Sequence, residues 1–172
     1  ANAWSQRIFN PFIDEFYLIE GNHHWPIINS SVDICICDFV VEHIAEPDLF
    51  FSEIRRILKD GGYVCIRTSN LWSYLGLFAS IIPNRFHALI VTKVHKEAKE
   101  DDVFPTVYKC NTIPQLRTNL QKHDFSHVVY GHPVEPTYLS FSIVTYFWGV
   151  VYQKFIPKFF SPLLFAFGQV HK

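Results

Sequence analysis

Three side chains able to take part in chemistry follow one apolar run. Asp38, Glu42 and His43 come directly after Val32-Asp33-Ile34-Cys35-Ile36-Cys37. A second polar set stands upstream, where Gly21-Asn22-His23 closes a short strand candidate over residues 15–20 and Trp25 follows. In an open parallel sheet, ligands bind beyond the carboxyl ends of the strands. An acid and a polar loop at neighbouring strand ends, with an indole to stack, suit a small ligand with amine, hydroxyl and aromatic parts. For any one of these residues, ordinary loop polarity is the simpler reading. The whole constellation is harder to dismiss.

The elements that must position them are legible. The run 32–37 is nearly all apolar and β-prone, which suits a strand buried on both faces of a parallel sheet. Pro47 and Asp48 suit the first turn of a helix. Phe50, Ile54, Ile57 and Leu58 give that helix an apolar stripe, Arg55, Arg56 and Lys59 crowd its end, and Gly61-Gly62 is the expected stop. Residues 63–68 form the next strand. This short strand–helix–strand order predicts parallel pairing with a right-handed crossover.

Further on, 71–82 reads as a helix, and 84–111 as a lid or substrate insertion of mixed character. Residues 112–122 read as a helix capped by Thr112, with Ile113, Leu116 and Leu120 on one face, and 125–130 as a strand. From Pro136 the chain is apolar and aromatic. The expected packing there is a core or pocket helix followed by an antiparallel strand. The alternative is peripheral membrane contact through 136–170, because residues 138–152 carry no charge yet fall short of the ~20 needed to span a bilayer.

Composition limits the classes. With 172 residues, 49% of them hydrophobic and 18% charged, the chain can bury a core. A net charge of −1 without a basic run gives no electrostatic reason to expect nucleic acid. Cys35 and Cys37 are too close for a zinc knuckle, so no metal is expected. Four reduced, packed thiols fit a reducing, cytoplasmic compartment. The opening Ala1-Asn2-Ala3-Trp4 shows no signal-peptide pattern and reads like a start in mid-domain.

The stretch from Asp38 to Asn70 resembles class I S-adenosylmethionine-dependent methyltransferases of the bacterial small-molecule type. Val41-Glu42-His43-Ile44, Pro47-Asp48, Phe51, Glu53-Ile54, Arg56, Leu58-Lys59 and Gly61-Gly62 carry the resemblance. Upstream, Gly21-Asn22, Trp25-Pro26 and Asn29-Ser30-Ser31-Val32-Asp33 are similar to the family's "gDa…LPf.d.sFD" loop. The resemblance implies an α/β, Rossmann-like sheet, mostly parallel with an antiparallel last strand. It implies S-adenosylmethionine as cofactor, with Asn22 and His23 by the adenine and Asp38 and Phe39 behind the methionine part. His43 would stand at the substrate mouth. His43, His87 or Tyr108 could act as general base where the acceptor must lose a proton.

Departures are part of the reading. Asn22 replaces the family's usual Asp, Asp60 and Ser69 replace prolines, and Val32 replaces Phe. No G-x-G is present, so the family's N-terminal strand–loop–helix is expected to be missing. The expected activity is methyl transfer to a small-molecule, lipid-linked or glycan-type acceptor, in a single partial domain with an aromatic-rich segment at 136–172. The alternative is a catalytically inactive, methyltransferase-like binding or scaffolding module. A nicotinamide-dependent enzyme is disfavoured, since no dinucleotide fingerprint appears.

Overall fold

A computed structural model describes residues 13–17, 19, 24–74, 76–77, 106–134 and 142–171. In chain order these give β1 (Val32–Asp38), a 3-10 turn (Val41–His43), α1 (Pro47–Ile57) and β2 (Leu58–Ser69). Then come α2 (Ile113–Lys122), β3 (Phe125–His132), α3 (Ile143–Phe155), a 3-10 turn (Lys158–Phe160) and β4 (Leu163–Val170). The sheet order is β1-β2-β4-β3. β1 and β2 pair in parallel, and β4 lies antiparallel between β2 and β3. Three strands thus point one way and the last one inserts against them, which is the α/β arrangement expected.

The apolar stripe of α1 is buried as its spacing predicts: Phe50, Phe51, Ile54, Ile57 and the following Leu58 lie in the core. Each such side chain contributes about 1.5–3 kcal/mol by leaving water. α2 adds Ile113, Leu116 and Leu120, and Thr112 caps it by accepting from the Gln115 amide at 3.3 Å.

α1 ends before the glycine pair expected to stop it. The Ser30 and Ser31 amides donate to the Arg56 and Ile57 carbonyls at 3.0 and 2.9 Å, so the preceding loop closes the helix. The chain turns extended at Leu58. Val32 pairs with Leu58 but Ile34 with Tyr63, so Gly61-Gly62 sits in a bulge instead, with Gly61 at φ 75°.

Register sorts the sheet into two faces. Cys37, Ile66, Ala166 and Val129 form one cross-sheet row, buried in the core with α1 and α2. The adjacent rows, Ile36–Cys65–Phe167–Val128 and Asp38–Arg67–Phe165–Tyr130, belong to the opposite face. There Ile36 is 75% exposed and Val128 61% exposed. The expectation that residues 32–37 are buried on both faces therefore does not hold among the described residues. Among the described residues, one helical layer covers this strand, on the side of Cys37.

Two more expectations differ. In 15–20, residues 15–17 and 19 lie outside any strand, and Leu18 and Glu20 fall outside the described residues. α3 packs little of itself into the core: Gly149 is its only buried residue, and Ile143, Phe147 and Phe155 are largely exposed. Of the helix expected at 71–82, Tyr74, Gly76 and Leu77 are helical and residues from 78 lie outside the described set. The same is true of 84–105 within the expected lid.

Candidate functional site

The carboxyl end of β1 is built around a register pair. Asp38 stands beside Arg67 of β2, which donates Nε to Oδ1 at 2.5 Å and Nη2 to Oδ2 at 2.6 Å. This fork-to-fork pairing holds the Arg67 guanidinium above its ordinary range. The same guanidinium lies 5.0 Å from the centroid of the Phe39 ring. Phe39 itself has φ 51°, a left-handed conformation that bulky residues avoid, and its amide donates to the Arg67 carbonyl at 2.8 Å. An open groove of about 350 Å³ runs along this face past Ile36, Asp38, Arg67, Phe165 and Phe167.

The next residues turn inward. Glu42 is buried, with 5% of its surface exposed, and its carboxylate accepts from the Thr68 hydroxyl at 2.6 Å. Asn111 donates Nδ2 to Thr68 Oγ1 at 2.8 Å and to the Ser69 carbonyl at 3.1 Å. The Glu42 carbonyl accepts from the Val107 and Tyr108 amides at 2.8 and 3.2 Å. Glu42 thus ties the end of β2 and the segment at 106–111 to the turn after β1. His43 ends that turn and is half-buried. Tyr108, also half-buried, is hydrogen-bonded through its backbone to the residue before His43. Two of the three candidate bases are thereby brought to one turn, and His87 lies outside the described residues.

On the helical side, Glu53 and Arg56 of α1 clamp the loop carrying Trp25. Glu53 Oε2 accepts from the Trp25 amide at 2.8 Å and from Arg56 Nη2 at 2.7 Å. Arg56 also donates to the carbonyls of Trp25 and Ile27, at 3.0 and 2.7 Å. Arg56 and the Trp25 amide hold the Glu53 carboxyl below its ordinary range against the opposing effect of burial. The Trp25 ring meets Phe50 edge-on at 5.7 Å. A cavity of about 390 Å³ opens here, walled by Trp25, Val40, Ile44, Leu49 and Phe50, with Glu53 at its margin.

Gly21, Asn22 and His23 lie outside the described residues. All four cysteines are free. The Cys35 and Cys37 sulfurs lie 3.9 Å apart; their contact and burial push the Cys37 thiol up, and burial pushes Cys110 up to about 12. Among the described residues no group of three or more His, Cys, Asp or Glu could hold a metal ion. Sequence reasoning missed Arg67 and the Thr68–Asn111 link, because both depend on strand register. The Glu53–Arg56 spacing of three was visible, but not the loop it clamps.

Residues 3–66 match the family model described as "Methyltransferase domain". The fold is similar to that of an S-adenosylmethionine-dependent methyltransferase from Thermotoga maritima, at a TM-score of 0.51 and 15% identity over 88% of this chain and 62% of that one. It is also similar to a chain in the Haloferax volcanii complex between the Trm112 methyltransferase activator and a methyltransferase. There the TM-score is 0.57 and identity 14%, over 98% of this chain and 67% of the other. The chain spans less than two thirds of the Thermotoga protein's length. No curated protein matches it. The expected resemblance to class I methyltransferases is borne out by the domain match over residues 3–66 and by the fold.

Proposed function

We propose that this chain supplies part of an S-adenosylmethionine-dependent methyltransferase, with the carboxyl end of β1 as the cofactor-facing edge. The observation that carries the reading is the cavity beside that edge. Its walls are Trp25, Val40, Ile44 and Leu49, flat or aliphatic surfaces against which a heterocycle can lie, and the Glu53–Arg56 clamp fixes one of them. These residues fit the adenine part of the cofactor. Gly21, Asn22, His23 and Trp25 are assigned to the same part, and Asp38 and Phe39 to the methionine part.

The bound cofactor supplies a methyl group already activated by its sulfonium, so positioning is the protein's main task. His43 and Tyr108, brought to one turn by the hydrogen bond from the Tyr108 amide to the Glu42 carbonyl, are assigned as the candidate bases for an acceptor that must lose a proton. The acceptor is assigned to the small-molecule, lipid-linked or glycan class, bound on the side of His43 and residues 106–111. The reading is tested by titrating S-adenosylhomocysteine into the intact protein and its Asp38→Ala and Trp25→Ala variants. Saturable binding weakened by either substitution supports it; affinity indifferent to both contradicts the assignment.

One observation favours a second reading, an inactive binding module. The Asp38 carboxylate is already occupied by Arg67 on both oxygens. An inactive module, with Asp38 committed to Arg67, will bind neither cofactor nor product in the intact protein.

A further inference from the structure

α3 is polarised in the opposite sense to a helix that packs against a protein and faces water. Its inward side carries Thr145, Gly149, Tyr152 and Gln153, and Tyr152 meets Tyr74 edge-on at 5.0 Å. Its outward side carries Ile143, Val144, Phe147, Val151 and Phe155, with Ile143 85% and Phe147 69% exposed, while Trp148 borders the two sides and meets Tyr74 edge-on at 6.4 Å. A surface helix of a globular protein turns its polar side to solvent. Here the more polar side faces the protein, so the outward side is shaped to meet something apolar.

Charge and length identify the occupant. From Pro136 to Lys172 the sequence has no Asp or Glu, and its only Lys or Arg residues are Lys154, Lys158 and Lys172. Lys154 lies on the same outward side, with its ammonium 5.9 Å from the Phe155 ring centroid. Tyr146 and Trp148 are of the types that gather at the level of lipid headgroups. The 13 residues of α3 extend only about 20 Å, short of the ~30 Å hydrocarbon layer. No helix of the described residues is long and apolar enough to cross a membrane. A second copy of the chain would fill the face less well. Two-fold pairing brings this same cationic segment against itself, with no acid on it to neutralise the lysines.

We propose that α3 docks flat on an anionic lipid surface, its outward apolar side inserted at the headgroup boundary and Lys154 and Lys158 set against lipid phosphates. The inference does not depend on the cofactor reading, and each can fail without the other.

The test is flotation of the intact protein with phosphatidylcholine vesicles, with and without phosphatidylglycerol. Vesicles containing phosphatidylglycerol should recruit the protein, and added salt should weaken recruitment. Phe147→Ser with Phe155→Ser changes only exposed side chains, keeps the circular-dichroism spectrum, and should cut partitioning by about tenfold or more. Lys154→Glu with Lys158→Glu should cut it by about fivefold per lysine or more. Absence of vesicle binding would overturn the proposal. So would equal binding to neutral vesicles that the charge reversal does not change. A concentration-dependent dimer in sedimentation, dissolved by the serine pair and indifferent to vesicles, would assign the face to a second copy instead.

Discussion

Arg67 grips Asp38 across the parallel pair β1–β2 through two hydrogen bonds of 2.5 and 2.6 Å. The acid marked by strand-end geometry as a ligand holder is thus already oriented by a neighbouring strand. Both side chains are about half exposed, at 44% for Arg67 and 49% for Asp38, so water screens the pair. Asp38→Ala should leave thermal unfolding nearly unchanged. If Asp38 serves the cofactor, the same variant should weaken S-adenosylmethionine binding by about tenfold or more, the loss of one charge-assisted contact. A drop in melting temperature with unchanged affinity would make the pair structural.

The clamp formed by Glu53 and Arg56 is expected to matter for both folding and the Trp25 wall. Arg56→Ala removes hydrogen bonds to two loop carbonyls and to Glu53, and should cost about 1–3 kcal/mol in denaturant unfolding. The Glu53 carboxyl is held below its ordinary range in the folded chain. Its contribution is therefore fully present above the unfolded value, about 4.3, and is lost as pH falls through the lowered folded value. Glu53→Gln should flatten that acid limb of the stability–pH curve. An unchanged limb would mean the clamp contributes nothing.

Glu42 stands with Asp38 and His43 among the side chains able to take part in chemistry, and the structure places its carboxylate inside, on Thr68. Thr68→Val removes the hydroxyl that both Glu42 and Asn111 use, leaving a buried carboxylate without its donor. A loss of about 1–3 kcal/mol is expected, with a larger loss for Glu42→Ala. Full stability in Thr68→Val would contradict the burial of Glu42.

Gly131 is predicted to be intolerant for a backbone reason. A Cβ there would stand 1.8 Å from the Lys158 carbonyl oxygen, so the 3-10 turn Lys158–Phe160 would have to lift off β3. Gly131→Ala should cost about 1–3 kcal/mol by chemical denaturation. A neutral result would show that the turn moves freely.

Much of this architecture was legible in the residues. The 3.6-residue spacing of Phe50, Ile54 and Ile57 gave α1, Thr112 gave the start of α2, and the apolar run gave β1. What was not legible depends on partners distant in sequence. Gly61-Gly62 looked like a helix stop, but the Ser30 and Ser31 amides close the helix first. Glu42 and His43 are adjacent in sequence, yet the carboxylate of Glu42 is buried beneath the Thr68 hydroxyl, while His43 is only half-buried. Composition alone cannot separate a strand buried on both faces from one like β1, where Cys37 is covered and Ile36 is not.

The most direct measurement is calorimetric titration of S-adenosylmethionine and S-adenosylhomocysteine into the intact protein, repeated with Trp25→Ala. Saturable binding of both, weakened when the indole is removed, is the predicted result. A folded protein that binds neither compound would contradict the cofactor-facing role of the β1 edge.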